Sequence, residues 1–123
     1  MIKGKCHCGN VTYQHSADAQ YQFVCQCIDC QKLSAGCQLA AAVFPKEGFQ
    51  FEGEVQTYEY PGGSGKPIMM SFCPKCGTSL YAVPTAFDKV VIRAGTYDNP
   101  EDFKPVKVIH PDEQQHWQRG FEI

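Results

Sequence analysis

Short apolar runs rich in β-branched and aromatic residues recur along the chain, each closed by Gly, Pro, Asn or Asp. Branched and ring side chains suit a pleated, half-buried surface, and the punctuating residues suit turns. The pattern predicts strands over 10–14, 21–25, 39–44, 49–53, 57–60, 68–72, 80–83, 89–95 and 106–110. In Lys89-Val90-Val91-Ile92-Arg93 polar residues stand only at the ends, which fits a strand buried on both faces. No segment sustains a 3.6-residue apolar period. Two stretches read as short helical turns: 29–35, and 99–103, where Asn99 can cap and Pro100 fits a first helical position. The expected fold class is therefore mainly β with short helical turns.

Pro61-Gly62-Gly63-Ser64-Gly65-Lys66-Pro67 reads first as a hairpin connection, with a mobile loop over a site as the alternative. At 123 residues the chain suits one domain, 1–123. Folding at that size buries roughly two thirds of the surface of the unfolded chain. The apolar content of 43% is ordinary for a globular protein. No apolar run approaches the ~20 residues of a membrane-spanning helix, and Met1 to Lys5 shows no secretory leader. A soluble cytoplasmic protein with no membrane partner is the expectation. Net charge is −2, with single lysines and arginines, including Arg93 and Arg119, scattered as on a solvated surface. A nucleic-acid partner would call for a basic face, and none is visible. Oligomeric state leaves no mark in the sequence.

Seven of the eight cysteines change the picture most. They fall into Cys6-His7-Cys8, Cys25-Gln26-Cys27-Ile28-Asp29-Cys30 and Cys73-Pro74-Lys75-Cys76. Thiolates one or two residues apart converge on one cation more readily than they bridge each other. In a reducing compartment such clusters read as metal sites. A structural zinc takes four tetrahedral ligands, whereas a catalytic one keeps a position open. The economical partition is a closed site from two pairs, Cys6 and Cys8 with Cys73 and Cys76, and a three-cysteine site from Cys25, Cys27 and Cys30. Gly9 and Gly77, each following a pair, support that pairing because a positive φ there turns backbone amides toward the sulfurs. Cys37 could loop back as a fourth ligand of the second site; the alternative is a small buried apolar residue.

His7 alternates with two ligand cysteines and should point away from their metal. His15 sits in a polar turn and should face solvent. His110 and His116, near Trp117, are the better candidates for lining a pocket, although a structural role is the expectation for each. Phe72, Tyr58, Tyr60, Tyr81, Tyr97 and Phe87 are expected in the core rather than in a ligand cleft.

Gly4-x-Cys6-x-Cys8-Gly9-x-Val11, Cys25-x-Cys27-x2-Cys30 and Phe72-Cys73-x2-Cys76-Gly77-Thr78-x-Leu80 together resemble the glutathione-dependent formaldehyde-activating enzyme family, which includes centromere protein V. The resemblance covers residues 1 to about 83, with weaker echoes in Gly53, Thr57-Tyr58 and Phe121-Glu122-Ile123. It implies a β-tent of antiparallel sheets stapled by a structural zinc on Cys6, Cys8, Cys73 and Cys76. It implies a second zinc on Cys25, Cys27 and Cys30, two ions per chain in all. The implied activity is that of a carbon–sulfur lyase, forming S-hydroxymethylglutathione from glutathione and formaldehyde, so the implied partners are a small thiol and an aldehyde. The family commonly carries Cys-His-Cys in the second cluster and Arg or Lys after its last cysteine; this chain has Gln26 and Gln31. A cation missing beside a thiolate site weakens attraction for an anionic thiol. The alternative to an enzyme is a non-catalytic module in which zinc shapes a surface for a protein or small thiol.

On the residues themselves, Cys25, Cys27 and Cys30 carry the expected chemistry. Three thiolates weaken a metal as a Lewis acid, so capture of a thiol is favoured over activation of water, with Asp29 or a distant residue moving the proton.

Overall fold

A computed structural model of the chain describes residues 1–118. Arg119 and the Phe121-Glu122-Ile123 echo lie outside the described residues. The strands are β1 (Ile2–Lys5), β2 (Thr12–His15), β3 (Tyr21–Cys25), β4 (Leu39–Pro45), β5 (Phe49–Glu52), β6 (Gln56–Pro61), β7 (Pro67–Phe72), β8 (Ser79–Pro84), β9 (Lys89–Arg93) and β10 (Lys107–Ile109). One α-helix, α1 (Ile28–Ser34), follows β3. The protein is thus mainly β, as the apolar pattern predicts.

Two sheets carry the strands, one ordered β1-β2-β5 and the other β10-β3-β4-β9-β8-β7-β6. Most neighbours pair antiparallel, but β10 runs parallel to β3, with Ile109 opposite Cys25. That pairing departs from the antiparallel sheets expected. Tight hairpins force antiparallel neighbours, whereas the long connection from Ala94 through the Pro100–Asp102 turn frees β10 to return in the other sense. Asn99 caps that turn, its Oδ1 accepting from the Glu101 backbone N–H at 3.1 Å.

The core lies between the sheets. Alternation on β2 sends Tyr13 and His15 inward, and on β4 it sends Ala42 and Phe44 to meet them. On β9, Val90 and Ile92 face this core. Fully burying a side chain such as Phe44 or Ile92 contributes about 2 kcal/mol. His15 corrects its sequence reading: it is fully buried, not solvent-facing. It stacks on Phe44 at 4.7 Å, its Nδ1 accepts from the Ala17 backbone N–H at 2.9 Å, and its Nε2 donates to the Pro45 carbonyl at 2.7 Å. Both ring nitrogens find backbone partners, so burial leaves neither unsatisfied.

β1 has no counterpart among the predicted strands. Gly4 holds it in place, since a Cβ there would collide with the Tyr13 hydroxyl, and only glycine allows that close approach.

Candidate metal centre and its cavity

Two loops of the same design bring the first four sulfurs together. In the loop after β1, the Cys6 N–H donates to Val11 O at 3.0 Å and the Gly9 N–H to Cys6 O at 3.1 Å. In the loop after β7, the Cys73 N–H donates to Thr78 O at 3.0 Å and the Gly77 N–H to Cys73 O at 2.8 Å. Gly9 and Gly77 take φ of 81° and 78°, the left-handed region that favours glycine, as the spacing predicts. The loops are tied directly by the His7 N–H donating to Thr78 Oγ1 at 3.1 Å.

The resulting sulfurs of Cys6, Cys8, Cys73 and Cys76 all lie within 4.8 Å of one another. Cys8 Sγ is 3.7 Å from both Cys6 Sγ and Cys73 Sγ. Two thiolates bound to a tetrahedral zinc at its usual bond length sit about 3.8 Å apart, so the donor set fits that ion. Backbone amides already point at the sulfurs: Val11 N–H to Cys6 Sγ at 3.2 Å, and Lys75 N–H to Cys73 Sγ at 3.4 Å. Hydrogen bonds from the Thr78 hydroxyl and backbone hold the Cys76 thiol down to about 5. Burial acts to raise Cys73, but the amides of Cys76 and Lys75 overcome it and the net shift is downward. The Asn10 amide acts to lower Cys8; burial and the crowding Cys6, Cys76 and Cys73 sulfurs outweigh it and push that thiol up to about 11. Such a group can bind a metal.

The second group is built at the junction of β3 and α1. Cys25 ends β3, Cys27 caps α1 with its sulfur accepting from the Cys30 N–H at 3.3 Å, and Cys30 stands in the first turn. Their three sulfurs lie within 4.8 Å of one another. Burial raises the Cys25 and Cys30 thiols, and for Cys30 the neighbouring sulfurs of Cys25 and Cys27 add to the shift. Cys37 is exposed and lies outside both groups, so it neither closes the three-cysteine site nor packs as an apolar residue. All eight cysteines are free thiols.

Cys25, Cys27 and Cys30 form part of the wall of a cavity of about 490 Å³. Its floor is the face of the large sheet turned away from the core, including Phe23, Leu39, Ala41 and Val91. Tyr60 and Gly63 reach it from the β6–β7 hairpin. The glycine-rich segment is thus a hairpin connection that also borders the site. Tyr60 corrects the expectation of a core role; Tyr81 and Tyr97 meet it, and Tyr58 and Phe87 are exposed instead.

His110 lines the cavity, held by Glu113 at 3.3 Å, while His116 is exposed in the short turn His116–Gln118. Gln26 and Gln31 are both buried. Gln31 donates to the carbonyls of Gln26 and Glu113 at 2.7 and 2.9 Å and accepts from Gln115 Nε2 at 2.9 Å. Gln26 donates to Gln38 Oε1 at 3.0 Å. The Gln31 amide binds the three-cysteine loop to residues 113–115 and the Gln26 amide ties it to Gln38, structural tasks the spacing of cysteines gives no hint of. Arg93, expected among solvated surface charges, is buried and lines the same cavity. Its position after the all-apolar run Val90-Val91-Ile92 was the available signal.

Among the described residues no helix is long and apolar enough to cross a membrane. A solved Rhodobacter sphaeroides protein superposes with a TM-score of 0.64 at 19% identity, covering 86% of this chain and 98% of that one, and so shares the fold. No curated protein matches the chain. Residues 1–113 match the family described as glutathione-dependent formaldehyde-activating enzyme. That match spans both cysteine groups and the cavity wall, and the chain belongs to the glutathione-dependent formaldehyde-activating enzyme family.

Proposed function

We propose that the chain is a carbon–sulfur lyase-type enzyme that joins a small thiol to a small aldehyde, glutathione and formaldehyde being the pair its family suggests. The observation that carries this reading is the three-sulfur group set in the wall of an apolar cavity with Cys37 outside it. Cys6, Cys8, Cys73 and Cys76 would hold a structural zinc, and Cys25, Cys27 and Cys30 a second, two per chain. Held by those three thiolates, zinc would supply the positive charge that favours a nearby substrate thiol in its thiolate form. A reducing cytoplasm keeps the protein thiols available for this role.

The cavity's apolar floor gives an aldehyde a place beside the substrate sulfur. Attack of the sulfur lone pair on the carbonyl carbon forms the carbon–sulfur bond and moves the C=O π pair to oxygen. The proton that left the thiol finishes on that oxygen, so atoms and charge balance. His110, oriented by Glu113, and Asp29 are the cavity groups able to carry it.

Exchange spectroscopy on glutathione and formaldehyde tests the reading. The zinc-loaded chain should accelerate adduct formation, and Cys27→Ser should abolish the effect. A fully loaded chain that leaves the rate unchanged would support the non-catalytic binding module instead.

A further inference from the structure

Alternation along β9 turns Val90 and Ile92 to the core and leaves Val91 and Arg93 on the cavity side. Arg93 is only 6% exposed. Its Nε donates to Ser79 Oγ at 3.4 Å, a long contact, and its Nη2 is buried with no hydrogen-bond partner among the described residues. None of their carboxylates lies within 4.0 Å of the guanidinium. The cavity's own carboxylates sit toward solvent: Asp29 is exposed, and Glu113 is occupied by His110 and the Ile28 N–H.

A guanidinium keeps its charge at any relevant pH, and an unpaired buried donor on it is costly until an acceptor arrives. Its planar fork pairs bidentately with a carboxylate or a phosphate, and the carboxylate is the smaller of the two. Register sets the spacing to the sulfurs. Arg93 pairs with Ala41, and Cys25 with Leu39, so two strand spacings and two residues separate Arg93 from Cys25. That is about 12 Å between backbones, with both side chains entering the same cavity. The gap left suits a molecule carrying a sulfur at one end and a carboxylate a few atoms away.

We propose that Arg93 is the carboxylate anchor of the cavity, so that the chain selects small thiols bearing a carboxylate over neutral thiols of similar size. The sulfur end of this assignment rests on the proposed function; the carboxylate end does not. With neutral Gln26 and Gln31 on the cysteine loop, the cation for an acidic thiol comes from β9, across the cavity floor.

Binding by the zinc-loaded full chain and its Arg93→Met and Arg93→Lys variants tests this, using 3-mercaptopropionate, 2-mercaptoethanol and propionate followed by calorimetry and by chemical-shift changes. The native chain should bind 3-mercaptopropionate at least about tenfold more tightly than 2-mercaptoethanol. In Arg93→Met that preference should fall to within about twofold while 2-mercaptoethanol binding stays put, and Arg93→Lys, charged but without the fork, should lie between. Arg93→Met should also melt at or above the native temperature, because an apolar side chain of similar length replaces an uncompensated buried charge. A preference that survives Arg93→Met, or is absent from the native chain, overturns the proposal. So does a marked loss of stability in Arg93→Met, which would mean the guanidinium is already partnered. Arg93-dependent binding of propionate without binding of 2-mercaptoethanol would uphold the anchor and sink the thiol reading of the cysteine site.

Discussion

Cys8 and Cys73 are 65 residues apart in the chain, yet their sulfurs stand 3.7 Å from each other. That contact joins the loop leaving the three-stranded sheet to the loop leaving β7 in the seven-stranded one. Cys6 and Cys73 are themselves core residues, so the cluster sits where the two sheets meet. Metal binding at four-cysteine sites is worth on the order of 10 kcal/mol, comparable to the whole net stability of a domain. Chelation of the zinc-loaded chain should therefore unfold it cooperatively in circular dichroism, and Cys73→Ser should fail to fold at equal zinc. A chain that keeps its melting transition without metal would show that the core alone suffices.

Gln31 should matter for stability more than its neutral side chain suggests. Truncation in Gln31→Ala removes the donor to the Gln26 and Glu113 carbonyls and the acceptor for Gln115. Unpairing buried polar groups costs about 1–3 kcal/mol. Denaturant titration should show a loss of that size, and amide exchange should quicken at residues 110–118, where His110 borders the cavity.

His15→Phe separates packing from hydrogen bonding in the core. The ring stack on Phe44 can persist, but the Ala17 N–H and the Pro45 carbonyl lose their partners. A destabilisation of about 1–3 kcal/mol is expected. His15→Ala should cost more, about 3–5 kcal/mol, because a cavity is added. No loss in His15→Phe by thermal or urea unfolding would deny the hydrogen bonds a role, and equal losses in the two variants would deny the packing one.

Three tyrosines set an alkaline limit. Burial raises Tyr13, Tyr81 and Tyr97 above the ordinary phenol value. A group whose folded pKa exceeds its unfolded one contributes full stability below the unfolded value, near 10, and loses it as pH rises through the folded one. Phenolate absorbance from these three of the six tyrosines should lag and then appear together with loss of the folded circular-dichroism signal. Early, independent ionisation would contradict their burial.

Most strands were legible because β-branched and aromatic runs are cut by turn residues, and the cysteine spacing foretold both sulfur groups. β1 was not: Ile2-Lys3-Gly4-Lys5 has a single large apolar residue, and its strand form comes from pairing with β2 and from the close fit of Gly4 against Tyr13. Ser16, Ala17 and Asp18 give His15 the look of a polar turn. The alternation Val11, Tyr13, His15 held the opposite signal, since all three face inward. Arg93 looks like one of the scattered surface charges for a different reason. The apolar run Val90-Val91-Ile92 signals burial, but which face of β9 meets a cavity depends on the distant placement of α1 and the β6–β7 hairpin, which no local pattern records.

The central claim is that three protein thiolates leave one coordination position for a thiol, and X-ray absorption on the zinc-loaded chain tests it most directly. The expected result is two zinc ions and seven protein sulfurs per chain, rising to eight sulfurs on adding a small thiol and remaining at seven with a thioether of the same size. Eight sulfurs before any thiol is added, or seven that do not change when it is, would contradict the claim.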